Sequence, residues 1–186
     1  ELPFLDKGNV TLDASNAGVI LDGSQMPADH CCGIVIHSNG NVVQGLQVIH
    51  FPSIGIHLYG EYNLIGGSRL VGEGPVGQGN VFSGNHVEGI GLGKGNNIIK
   101  GNIIGLDASG TQPLGVQTGG ISLRLQNNVI GSLTPGEGNV ISANSVVGIE
   151  AYGETTIGNQ IIGNYIGTEI SGTTALGNGQ GGIIAW

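Results

Sequence analysis

A Gly-Ile dipeptide opens six short segments of the chain, at residues 33, 55, 89, 120, 148 and 182. The segments read GIVIH, GIHLY, GIGLG, GISLR, GIEAY and GIIAW. Their second and fourth positions are Ile34/Ile36, Ile56/Leu58, Ile90/Leu92, Ile121/Leu123, Ile149/Ala151 and Ile183/Ala185, all of them apolar. The third and fifth positions are mixed. This is the period-2 pattern of a strand with one buried face. Strands so short and so alike can bury that face only by stacking copy upon copy.

Between these strands lie two further families of short segments. One carries an amide before two apolar residues at Asn41, Asn63, Asn97, Asn128 and Gln160; the other does so at Gln47, Asn80, Asn102, Asn139 and Asn164. Each repeat therefore holds three short strands separated by Gly-rich corners, consistent with 38 glycines and only eight aromatics in 186 residues. No segment reads as a good helix. The pattern predicts an all-β, right-handed, single-stranded parallel β-helix (a solenoid) of about 6–7 rungs with three short strands per rung. The whole of 1–186 is expected to form one domain, a segment of or building block in a longer stack, with 1–24 as its N-terminal rung or entry segment. The amides should form vertical ladders, since each offers a donor and an acceptor to its copy one rung away. The longer units alternate in type, so the full period is two rungs.

Five Lys or Arg against 13 Asp or Glu leave a net charge of −8. No cationic track for nucleic acid can be assembled from that, and no apolar run is long enough for a membrane-spanning helix. The only cysteines, Cys31 and Cys32, are adjacent; a strained mutual bridge and two thiols are both open.

The phrases GVILDGS (18–24), GEGNVISANSVVGI (136–149) and GNYIGTEISGTTALGN (163–178) resemble the Asn/Gly-rich right-handed parallel β-helix repeats of bacterial secreted and surface proteins, grouped with pectate-lyase-like folds. The resemblance implies right-handedness, export to the cell surface or beyond, and membership of a longer polypeptide. It does not select a function, because that scaffold hosts enzymes, adhesins and fibres.

Enzymatic signatures are sparse. No two acidic residues are sequence neighbours, and Asp107 is the only Asp after residue 29. Glu150 and Glu154 are the one pair to weigh for glycoside hydrolysis, and Arg124, on an outward column, the one base to weigh for a lyase. No residue is assigned a catalytic role. His37, His57 and His50 do not converge on one column, so no metal site is assigned. Asp107 and Glu169 hold matching turn positions, but one carboxylate per loop is too few oxygens for Ca²⁺, and no cofactor is assigned.

The outward columns of the Gly-Ile strands are the most distinctive surface. One runs His37, Tyr59, Gly93, Arg124, Tyr152, Trp186, and its neighbour includes His57 and Glu150. Aromatic faces beside Arg and Glu suit sugar rings and their hydroxyls. The sequence thus favours a non-catalytic extracellular scaffold, surface-adhesive or fibre-forming, with glycan-binding candidates His37, His57, Tyr59, Arg124, Glu150, Tyr152 and Trp186. Polysaccharide or cell-surface glycan, and self-association through open ends, are the expected partners. The alternative is a fragment of a polysaccharide lyase or glycoside hydrolase.

Overall fold

The computed structural model describes residues 4–186; the first three residues of the N-terminal 1–24 segment lie outside the described residues. The chain coils through six rungs of three strands, with no helix among the described residues. Rung 1 holds β1 (Thr11–Asp13), β2 (Ile20–Asp22) and β3 (Ile34–Ile36). Rung 2 holds β4 (Val42–Gln44), β5 (Gln47–Ile49) and β6 (Ile54–Leu58), and rung 3 β7 (Leu64–Gly66), β8 (Val81–Ser83) and β9 (Glu88–Leu92). Rung 4 holds β10 (Ile98–Lys100), β11 (Ile103–Ile104) and β12 (Gly119–Leu123). Rung 5 holds β13 (Val129–Ile130), β14 (Val140–Ile141) and β15 (Val147–Ala151), and rung 6 β16 (Gln160–Ile161), β17 (Tyr165–Ile166) and β18 (Gly181–Ala185). Each strand pairs in parallel with its counterpart one rung away, giving three six-stranded sheets. Sheet 1 contains β1, sheet 2 contains β2 and sheet 3 contains β3.

The registers place the Gly-Ile strands as expected: Ile34 on Ile56, Ile56 on Ile90, Ile90 on Ile121, Ile121 on Ile149, and Ile149 on Ile183. The first five are buried. Ile183 is 50 % exposed, because β18 is an edge strand with nothing stacked on its far side. Val43, Ile65, Ile99 and Ile130 fill the interior from sheet 1, and Val48, Phe82, Ile104 and Ile141 from sheet 2. Each such side chain contributes about 1.5–3 kcal/mol by leaving water.

The corners are held by buried amides. The Oδ1 of Asn63 accepts the backbone N–H and the Nδ2–H of Asn41, at 2.8 and 2.9 Å. Asn97 does the same for Asn63, and Asn159 for Asn128. A second ladder runs from Asn80 through Asn102 and Asn139 to Asn164, and begins by capping the N–H of Leu46. A backbone N–H can only donate, so the bonded side-chain atom must be oxygen and the amide orientation is determined.

Two expected ladder members are displaced by one residue. Gln160 pairs with Val129, so Asn159 occupies the ladder; Gln47 pairs with Val81, so Leu46 takes the ladder position. At both displaced positions the residue before the ladder position turns the corner with positive φ, Gly45 at 72° and Gly158 at 68°, as do Asn96 at 60° and Asn127 at 59° in other rungs. At these two corners that geometry, rather than the apolar pair downstream, marks the register. A third ladder, before sheet 3, escapes the sequence reading altogether. It runs Asn85, Gln117, Asn144, Asn178, and starts by capping Phe51 N–H at 3.0 Å.

Loop lengths alternate by rung. Segments 67–80 and 131–139 join sheet 1 to sheet 2 in rungs 3 and 5, and 105–118 and 167–180 join sheet 2 to sheet 3 in rungs 4 and 6. They cover the outer face of sheet 2, where Val81, Ile103 and Val140 form a second buried cluster with Val76 and Leu106. Sheet 2 is therefore apolar on both faces, whereas the outer positions of sheet 1, such as Ile98 and Gln160, stay exposed. Cys31 and Cys32 are joined to each other as a disulfide.

Two substitutions test this account. Asn97→Ala strands the N–H of Asn63 and the carbonyls of Gly60 and Gly95, which Asn97 now satisfies. Denaturant unfolding should show a loss of about 3 kcal/mol or more, from orphaned groups at about 1–3 kcal/mol each. Tyr62 is exposed and holds φ 58° at the corner position that Asn96 and Asn127 occupy in other rungs. Tyr62→Asn should raise stability by about 0.5–1 kcal/mol, because Asn tolerates that conformation better.

Candidate functional site

The outer face of sheet 3 carries the predicted surface. Its fifth column is continued beyond each strand by backbone hydrogen bonds: Tyr59 N–H to Ile36 C=O, Gly93 to Leu58, Arg124 to Leu92, Tyr152 to Leu123 and Trp186 to Ala151. The structure gathers these residues into two groups. In the lower group His37 lies with its ring centroid 5.3 Å from Tyr59, and His57 with its centroid 4.2 Å from Tyr59. Phe4 packs on His37 at 5.0 Å, and Asp6 bonds His37 Nδ1 at 3.0 Å. In the upper group the Arg124 guanidinium stands 5.4 Å from the Tyr152 ring centroid, and Trp186 Nε1 donates to Glu150 Oε1 at 3.2 Å.

Between the groups lies a glycine shelf. Gly91 in β9 and Gly93 just after it leave the third and fifth outward columns without side chains at this rung. At about 4.8 Å per rung, the shelf separates β6 from β12 by about 10 Å. A Cβ at Gly91 would sit 3.2 Å from Glu88 Oε2 and 3.2 Å from the His57 ring, so the glycine makes room for both.

Glu88 is the residue that sequence reading missed. It precedes Gly89 and was outside the outward columns, yet its carboxyl lies along the shelf. Burial pushes its pKa up; Arg124 and Ser122 draw it partway back, and Glu150 pushes it up again. His57 is shifted down, chiefly by burial and then by Arg124 and His37, which favours the neutral imidazole. The expected proximity of Arg124 and Glu150 does not become an ion pair: Arg124 Nε donates to Ser122 Oγ at 3.1 Å instead, while Glu150 bonds Trp186. Glu154 lies exposed in the turn after β15, away from the shelf strands.

The remaining candidates fall elsewhere. His50 is at a sheet 2 corner against Asp22, 3.3 Å away. Among the described residues no three His, Cys, Asp or Glu side chains group as metal ligands. Asp107 and Glu169 face inward onto their own turns. Asp107 Oδ1 accepts Ser109 Oγ at 2.7 Å and the N–H groups of Thr111 and Gln112. Glu169 accepts Ser171 Oγ and the N–H groups of Ser171, Thr173 and Thr174. Those donors, Ser171 first, hold its pKa at about 2. The turn covers this carboxylate rather than the core, and its acceptor sites are engaged by the chain itself.

No helix is long and apolar enough to cross a membrane among the described residues. Comparison with family models, with curated proteins and with solved structures found no match.

The two carboxylates predict opposite pH responses. Glu169 has a folded pKa below its ordinary 4.5, so its stabilisation is present above pH 4.5 and lost as pH falls towards about 2. Glu88 has a raised folded pKa, so its contribution is present below pH 4.5 and lost as pH rises through the folded value. Thermal midpoints measured against pH should lose the acid-side decline in part with Glu169→Gln and the higher-pH decline in part with Glu88→Gln.

Proposed function

We propose that the chain is an extracellular β-solenoid scaffold that binds glycans across the outer face of sheet 3. One observation carries the reading: a glycine shelf bounded by the ring group His37, His57 and Tyr59 on one side and by Arg124, Glu150, Tyr152 and Trp186 on the other. Tyr59 and Tyr152 are 46 % and 54 % exposed, so each ring keeps surface accessible to a ligand beside its contact with His57 or Arg124. A pyranose presents an apolar face to such rings and hydroxyls to a guanidinium and a carboxylate. The stacked rungs hold these groups at fixed spacing, which lowers the entropy lost on binding. Display at a cell surface belongs to the same proposal.

Glu88 favours a second reading, glycoside hydrolysis. A carboxyl with a raised pKa has the makings of a general acid, and Glu150 supplies a second carboxyl on the same face. Screening neutral and acidic oligosaccharides for both binding and turnover separates the two. Tyr59→Ala and Tyr152→Ala should each weaken glycan binding about fivefold to tenfold, ~1–1.4 kcal/mol, with circular dichroism unchanged. Turnover abolished by Glu88→Gln would replace the scaffold reading by the hydrolytic one. Neither binding nor turnover would overturn both.

A further inference from the structure

The loops over sheet 2 do not close completely. They leave a cleft of about 520 Å³, walled by Arg69, Leu70, Pro75, Ile103, Pro135 and Tyr165. A smaller cleft of about 170 Å³ adjoins it and shares Arg69, Pro135 and Tyr165. The larger volume lies in the range of small-molecule sites.

Arg69 is the unusual feature of this cleft. The chain has only five Lys or Arg against 13 Asp or Glu, yet Arg69 pairs with no carboxylate among the described residues. Lys100, by contrast, takes Glu137 at 2.8 Å. The side chain of Arg69 donates from Nη1 to the carbonyl of Gly138, and its backbone N–H donates to Gly136 C=O at 3.0 Å. These bonds brace the 67–80 loop against the 131–139 loop. They use one of five guanidinium N–H donors, and a neutral carbonyl does not offset the charge. Partial burial lowers the guanidinium pKa, the direction expected for a cation short of a counter-ion. Of the acids on the surrounding loops, Glu137 is taken by Lys100, Glu73 forms no ion pair with Arg69, and Asp107 and Glu169 are tied to their own turns.

Tyr165 is the second unusual feature. Its register partner in rung 5 is Val140, which stacks in turn on Ile103 and Val81. Those aliphatic side chains are fully covered, whereas Tyr165 is 43 % exposed and lines both clefts. An aromatic ring and an uncompensated guanidinium at the mouth of a largely apolar cleft recognise a negative head on a compact, weakly polar body. The planar fork of arginine suits a carboxylate in particular.

We propose that Arg69 and Tyr165 form a binding site for an organic carboxylate, separate from the sheet 3 face. Two probes carry that group on different bodies: D-glucuronate on a sugar ring and benzoate on an aromatic ring, with D-glucose as the neutral control. Titration calorimetry on the intact chain should give a Kd of about 0.1–1 mM for at least one acid, while any heat from glucose should be unchanged by Arg69→Gln. The preferred acid identifies the body the cleft accepts. Arg69→Gln should weaken binding at least about tenfold, Arg69→Lys by less, and Tyr59→Ala not at all. Because Arg69 also braces two loops, labelling of the wild-type protein provides a readout without substitution. Phenylglyoxal modification of Arg69, located by peptide mapping, should slow in the presence of the bound acid. Absence of binding by both acids at about 20 mM, binding lost in Tyr59→Ala but kept in Arg69→Gln, or equal labelling of Arg69 with and without acid would each overturn the assignment.

Discussion

A side-chain carbonyl accepting a corner N–H is the contact on which the architecture rests. A solenoid of two- to five-residue strands has more corners than most folds, and at each corner the backbone leaves its sheet with polar groups unpaired. Three columns of Asn, with Gln117 in one of them, answer this inside the core. Nearly every amide oxygen takes a backbone N–H from the rung below, and in most steps the amide nitrogen of that rung as well; Asn144 takes only the Gln117 amide nitrogen. The side chains also reach back to carbonyls, as Asn102 does to Ile65 and Asn139 to Ile99. Burying so many amides would be costly if their polar atoms lacked partners; with both ends bonded they lock register rung by rung.

Regular corners make irregular loops tolerable. Since the ladders define where each strand begins, a connection can lengthen from the two residues between β4 and β5 to the span 67–80 without disturbing the stack. The long connections alternate between the two edges of sheet 2 and fold across it. They create a second apolar layer around Val81, Ile103 and Val140, and at its margin the cleft that holds Arg69. Sheet 3 receives no such cover, so its outer residues keep their access to solvent. Loop length has thus given the two surfaces different chemistry: an open face of rings around a glycine shelf, and a sheltered cleft with one cation.

The interior columns were readable because period-2 alternation is a property of neighbouring residues. Ile34, Ile56, Ile90, Ile121 and Ile149 could be named from the Gly-Ile phrase alone. The ladder positions were readable only in part. At Asn159-Gln160 both residues are amides, and the choice is made by Gly158, whose positive φ puts Asn159 at the corner. The third ladder carried a signal that went unused: Asn85, Asn144 and Asn178 each stand four residues before a Gly-Ile pair. Gln117 stands three before, and its longer side chain still meets Asn85 and Asn144.

The sequence by itself determined the coil, its three columns of strands, the isoleucine interior and the aromatic stripe, because all of these follow from local alternation and repetition. Tertiary structure alone decided that Glu88 lies over Gly91, that Arg124 turns to Ser122 rather than Glu150, and that Arg69 faces a cleft without an acid beside it. Those outcomes depend on how loops of unequal length cross from one rung to another. They also depend on which side chains a glycine leaves room for, and no repeat period encodes either.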